Sequence, residues 1–240
     1  MRYLISISYD GSKFQGFQRL KENVSVQKVI EDALTKINKD KVVIKGAGRT
    51  DRGVHALDQK AHFDLNINIT PEGLKKALNS LVKPYIYIND CKIVDENFHA
   101  RFCVKEKVYV YKINLGEYNP ILKDYVNQNV NNLDIKTMKK ASKVFLGVHN
   151  FKNFVSGERD NYDCIIYKIK FKVVNNILEI EFTGKSFYRY MVRNLVGALI
   201  EVGKHKINSE YLENMLENYD TVINLPTSDA CGLYLKQIKY

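Results

Sequence analysis

Nowhere in the 240-residue sequence does an apolar run approach the roughly 18 residues that a membrane span requires. Leu4 to Ile7 is too short an apolar run for a secretory signal, and Asp10 follows closely. A protein of the cytoplasm, with no membrane partner, is therefore expected. The four cysteines, Cys91, Cys103, Cys164 and Cys231, lie far apart and make no C-x-x-C pair. That argues against zinc and redox-dithiol spacings and leaves reduced thiols as the expectation. Internal repeats, low-complexity tracts and Ser/Gly linkers are also missing, which favours two closely joined halves over separate modules. Gly46-x-Gly48 completes no G-x-G-x-x-G and no amphipathic helix follows it, so a nucleotide loop is set aside. Acidic residues are the minority: 37 Lys and Arg against 27 Asp and Glu leave a net charge of +10. Such a balance favours a polyanionic partner, nucleic acid before membrane, through phosphate neutralisation. Arginine is the scarcer cation, at 8 of the 37 basic residues. Six of those eight, Arg19, Arg49, Arg52, Arg101, Arg189 and Arg193, fall in a few short segments, which suggests specific pairing by a planar fork.

Apolar residues make up 45% of the chain, enough for a sizeable globular core. Tyr3, Ile5, Ile7 and Tyr9 alternate as an opening strand, and Phe14 to Asn23 reads as a ligand-facing loop. Ser25 caps an expected helix over 26–38, whose stripe is Val26, Val29, Ile30, Ala33, Leu34 and Ile37. Lys41 to Lys45 and Leu57 to Leu65 read as strands. Thr70 and Pro71 open a second helix, and Tyr85 to Val94 reads as strand. The second half opens on a strand over Lys107 to Leu115, followed by a polar break from Asn127 to Asn132. Asp134 caps a helix stopped by Gly147, and His149 to Asp160 reads as loop. Ile165 to Val174, Asn175-Asn176, then Ile177 to Phe182 is a hairpin pattern. A helix is expected from Ser186, with Arg189 and Arg193 on one side of it. Asn208 to Asn218 is a further helix, and Leu233 to Tyr240 a closing strand. The reading is α+β: two similar split βαβ-like halves, 1–104 and 105–240, sharing an extended, mostly antiparallel sheet with a central cleft.

Gly46-Ala47-Gly48-Arg49-Thr50-Asp51-Arg52-Gly53-Val54-His55-Ala56 concentrates three glycines, two arginines, an acid and a histidine. Glycines suit a tight backbone path or close approach to a ligand. A carboxylate between two guanidinium groups stays ionised and is a candidate nucleophile or base. A loop salt bridge fits the same residues equally well. The stretch resembles the GRTD-x-GVHA signature of the tRNA pseudouridine synthase A family. Four further segments are similar to that family in order: Tyr9 to Arg19; Phe98 to Phe102 followed by Lys107 to Tyr111; Phe187 to Gly197; and Gly232 to Leu235.

The resemblance implies isomerisation of uridine to pseudouridine at tRNA positions 38, 39 and 40, by a homodimer, with tRNA as partner and no cofactor or metal. It assigns the nucleophile to Asp51 and an ion-pair partner for it to Arg193. Arg49 matches the residue that fills the gap left by a flipped base, and Tyr109 the aromatic that stacks on uracil. Leu233 is placed at the wall of the base pocket. Phe14, Gln18, Arg19, Arg52, His55, Arg101 and Arg189 are placed around the RNA. Some positions depart from the family pattern: Arg52 stands where alanine is usual, Phe17 for tryptophan, Leu20 for glutamine and Asn150 for aspartate. Two readings of other classes compete. One is a non-catalytic RNA-binding protein on the same halves; the other is a metal-dependent nuclease using Asp51, Asp58 and Asp64.

Overall fold

The computed structural model describes residues 1–20, 24–128, 130–218 and 225–240. Lys21 to Asn23 of the expected opening loop, and Asn129 of the expected polar break, lie outside the described residues. The chain divides into two compact units, Met1–Lys105 with Tyr234–Tyr240, and Glu106–Leu233. Both are α+β with mostly antiparallel pairing, as the sequence predicts.

In the first unit, β1 (Arg2–Tyr9) pairs antiparallel with both β3 (His55–Asp64) and β4 (Ile86–Ile93). Burial on both faces explains the unbroken β1 pattern, with Tyr3, Ile5 and Ile7 fully buried and Leu4 and Ser6 buried opposite. Helix α1 (Val26–Asn38) starts where the sequence places it, because the Ser25 side chain accepts the Lys28 N–H. Helix α2 (Pro71–Val82) is capped by Thr70, with Pro71 in its first turn. It is tied to β4 by Asn79, whose side chain donates to the Ile88 carbonyl and accepts its N–H.

Two expectations change here. The strand read over Lys41 to Lys45 shrinks to β2 (Lys45–Gly46), paired with His62 and Ala61; Val42 and Ile44 are buried outside the ladder. The closing strand β9 (Leu233–Lys239) clusters from Tyr234 onward with the first unit, not the second. The cause is a short parallel pairing with β3, His55 with Tyr234 and Ala56 with Leu235.

In the second unit, β5 (Glu106–Asn114), β8 (Ile177–Gly184), β7 (Asp163–Val174) and β6 (Gly147–Asn150) pair antiparallel in that order. Asn175 and Asn176 turn β7 into β8 with φ of 49° and 60°, the left-handed pair that a two-residue hairpin demands. Helix α3 (Ile135–Ala141) is capped by Asp134 and α5 (Ser209–Glu217) by Asn208. The loop expected from His149 instead begins inside β6 and contains a 3-10 turn, Lys152–Phe154, with Phe151 and Phe154 buried. Helix α4 (Met191–Gly203) starts five residues later than Ser186. Tyr190, at φ 63°, stands before it in left-handed backbone and breaks the helical path. Arg189 thus precedes the helix, and does not share a helix side with Arg193 as expected. Among the described residues no helix is long and apolar enough to cross a membrane.

Candidate active site

The turn between β2 and β3 carries Asp51. Its frame is built from buried polar contacts. The Tyr9 hydroxyl lies 2.8 Å from Thr50 Oγ1, and the Gln59 amide donates to the Gly48 carbonyl at 3.1 Å. Phe17 N–H donates to the Thr50 carbonyl at 3.1 Å, fastening the opening loop to the residue just before Asp51. Asp51 itself accepts the Val54 N–H through its carbonyl, and Gly53 turns the chain at φ 80°. Burial drives the Tyr9 phenol well above its ordinary range, so it stays protonated and able to donate. Asp51 is half-buried, while Arg49 and Arg52 on either side are exposed. Neither guanidinium has an ion pair among the described residues, so both remain open to an outside anion.

His55, which the resemblance places around the RNA, is buried in the structure. It is 2% exposed and stacks on Tyr234 at 4.6 Å between ring centroids. Gly11 N–H donates to its Nδ1 at 3.1 Å, so a lone pair faces the backbone there. The ring locks the Asp10–Gly11 turn and β9 to the base of the Asp51 turn. Phe14 is also buried, and Gln18 is exposed. Arg19 is held by the protein: its guanidinium meets Glu31 at 2.8 Å and Asp32 at 3.7 Å. Glu31 is buried and also accepts from Gln27 and from Ile44 N–H, so Arg19 completes a structural network.

Arg101 is exposed, 5.9 Å from the ring of the exposed Phe102. Phe102 stacks on His99, and His99 meets His62 edge-on. Burial, with the positive charge of Arg2 adding, pushes the His62 imidazole down to about 4. The other two acids of the nuclease reading are otherwise employed. Asp58 meets Lys60 at 2.6 Å, and Asp64 takes both forks of Arg2 at 2.9 Å.

The remaining candidates lie in the second unit. Tyr109 is buried on β5, edge-on to Phe187 at 5.2 Å, and Leu233 is buried at the start of β9. Arg193, in the first turn of α4, donates from Nε to the Ser228 carbonyl at 2.7 Å while its own carbonyl accepts the Ser228 N–H. Gly197 lets this happen, since a Cβ there would sit 1.8 Å from the Pro226 carbonyl oxygen. The guanidinium groups of Arg193 and Arg189 lie 4.8 and 5.1 Å from the Tyr190 ring, which therefore steers both cations. Sequence reading missed Tyr9, Thr50 and Tyr190. All three sit inside the quoted segments, but their roles depend on partners up to 41 residues away.

A family model described as tRNA pseudouridine synthase matches residues 5–103 and 141–240. The tRNA pseudouridine synthase A of Mycoplasma genitalium is 36% identical over all of this chain and 98% of its own. That of Limosilactobacillus reuteri is 35% identical over 100% and 96%, and that of Pseudothermotoga lettingae 38% over 100% and 99%. A solved structure described as "Crystal Structure of a Cbf5-Nop10-Gar1 Complex" overlaps 83% of this chain and 54% of that chain, at 11% identity. Its TM-score of 0.36 is too low to bear on the fold.

Proposed function

This chain belongs to the tRNA pseudouridine synthase family, an isomerase family acting on uridine in tRNA, and we propose from that membership a target and a mechanism. The target is uridine at positions 38, 39 and 40 of the anticodon arm, modified by a cytoplasmic homodimer. Asp51 is the nucleophile. The N1–C1′ bond breaks, the uracil turns, and C5 bonds to C1′. C5 gives up its proton and N1 takes one, so the change is redox-neutral. The target base leaves its stack before attack, and Arg49 enters the gap it vacates. Tyr109 stacks on the uracil, Leu233 walls it, and Arg193 holds the nucleophile ionised. Arg52, Arg101 and Arg189 meet the RNA backbone, with Gln18 at the edge of the loop.

The observation that carries this reading is the Asp51 turn. It presents a half-buried carboxylate between two exposed arginines, on a backbone fixed from Thr50 and Val54. A nucleophile needs a fixed position, and a flipping enzyme needs free cations beside it. The test incubates unmodified tRNA transcripts with wild type and Asp51→Ala, without added metal, and maps pseudouridine by nucleotide. Modification at 38–40 by wild type alone is expected. Equal modification by both would remove Asp51 from the chemistry; tight binding with no modification by either would favour the binding-protein reading.

A further inference from the structure

We infer that Arg159, which lies outside every family segment quoted above, binds a phosphate of the tRNA backbone. This rests on the reading that the protein engages tRNA. The Arg159 guanidinium lies 4.3 Å over the Tyr188 ring and 5.9 Å from that of Tyr162. Among the described residues only one of its five donors is used, a long 3.4 Å contact from a terminal nitrogen to the Ser156 carbonyl. Nε is buried without a partner, and no carboxylate pairs with the group among the described residues. Other arginines that serve the fold look different. Arg2 grips Asp64 with a two-point fork and Arg19 grips buried Glu31.

A stacked, partly desolvated cation with no anion is costly, and an incoming oxyanion removes that cost. The stack also does what phosphate recognition needs. Tyr188 fixes the guanidinium plane, leaving the terminal nitrogens as a fork for two phosphate oxygens. The position is set as well. Ser156 N–H donates to the Arg189 carbonyl at 3.1 Å, and the Tyr188 hydroxyl donates to the Asp163 carbonyl at 2.8 Å. These bonds tie the Arg159 loop to the segment bearing Arg189, itself assigned to RNA. A net charge of +10 and a tRNA substrate single out phosphate over a protein carboxylate as the anion.

The experiment measures binding of an unmodified tRNA transcript between 50 and 200 mM KCl for wild type, Arg159→Ala and Arg159→Lys. For Arg159→Ala, affinity at the low-salt end falls on the order of tenfold, the worth of one charge-assisted hydrogen-bonded contact. The slope of log K against log salt falls in magnitude by about 0.7–0.9, the value for one phosphate contact. Arg159→Lys keeps the slope but recovers only part of the affinity, because an ammonium cannot supply the planar fork. Partial misfolding would lower the bound fraction at saturation and leave the slope unchanged. Weaker binding at an unaltered slope would make Arg159 a structural strut and overturn the inference, as would unchanged affinity. Failure of the Asp51 experiment would remove the proposed reaction yet leave this slope readable.

Discussion

Gly16→Ala puts the coupling between the opening loop and Asp51 to a quantitative test. Gly16 sits at φ +102°, where an L side chain is strained, and a Cβ there would lie 2.8 Å from the Thr50 carbonyl oxygen. That oxygen cannot easily retreat, because Phe17 N–H is bonded to it at 3.1 Å. The conformational strain is worth about 1–3 kcal/mol. Relieving the clash adds about 1–3 kcal/mol, since backbone, not a flexible tip, must move. A displacement of that kind is passed directly to Asp51, and a shift of about 1 Å in a reacting group costs on the order of 10²-fold in rate. Gly147→Ala is the control: φ is +99°, but the nearest atom is His149 Nε2 at 3.7 Å, an ordinary van der Waals distance. Both variants lose stability in urea, Gly16→Ala by the larger amount. Only Gly16→Ala loses kcat, read as tritium released from tRNA carrying 5-tritiated uridine, with KM little changed. Wild-type kcat in a destabilised Gly16→Ala would refute the claim that this contact positions Asp51.

Glu31→Ala should cost about 2–4 kcal/mol, because it strands Ile44 N–H and Gln27 and frees a half-exposed Arg19; denaturant melts measure it, and the salt slope of tRNA binding stays as in wild type. Arg52→Ala should weaken binding and lower that slope by about one, with kcat nearly unchanged, since Arg52 is an exposed cation; a large kcat loss would move it into the chemistry. The His62 imidazole titrates at about 4 in the fold against 6.5 when free, so the unfolded chain binds more protons between those values. Its contribution is present in full above 6.5 and drains away as pH falls toward 4. Urea midpoints at pH 5 and 7 should therefore lie closer together in His62→Gln than in wild type.

What could be read in the sequence was whatever local chemistry decides. Ser25 and the apolar stripe behind it fix α1 at both ends, and Asn175-Asn176 fixes a hairpin without outside help. Where distant partners decide, the sequence pattern alone does not show them. Phe187 and Met191 continue a helical spacing backwards from α4, but Tyr190 leaves that path and its ring collects two arginines. Arg19 sits in a segment shared with an RNA-modifying family, and only the fold brings buried Glu31 to it. Val42 and Ile44 alternate like a strand because both are buried, yet the ladder takes up only at Lys45. The turn that carries Asp51 is local again, marked by its glycines, with Gly53 at φ 80°.

The pairing of β9 with β3 has a consequence for the order of events during synthesis. The ribosome makes β3 well before Tyr234, with the whole second unit emerging between them. Until then His55 has no ring to stack on, and the Asp51 turn lacks the strand beneath it. A chain stopping before Tyr234 would carry Asp51 and its flanking arginines, but not the strand pairing next to their turn. Synthesis past Tyr234 and Leu235 thus comes before the Asp51 turn has its full support.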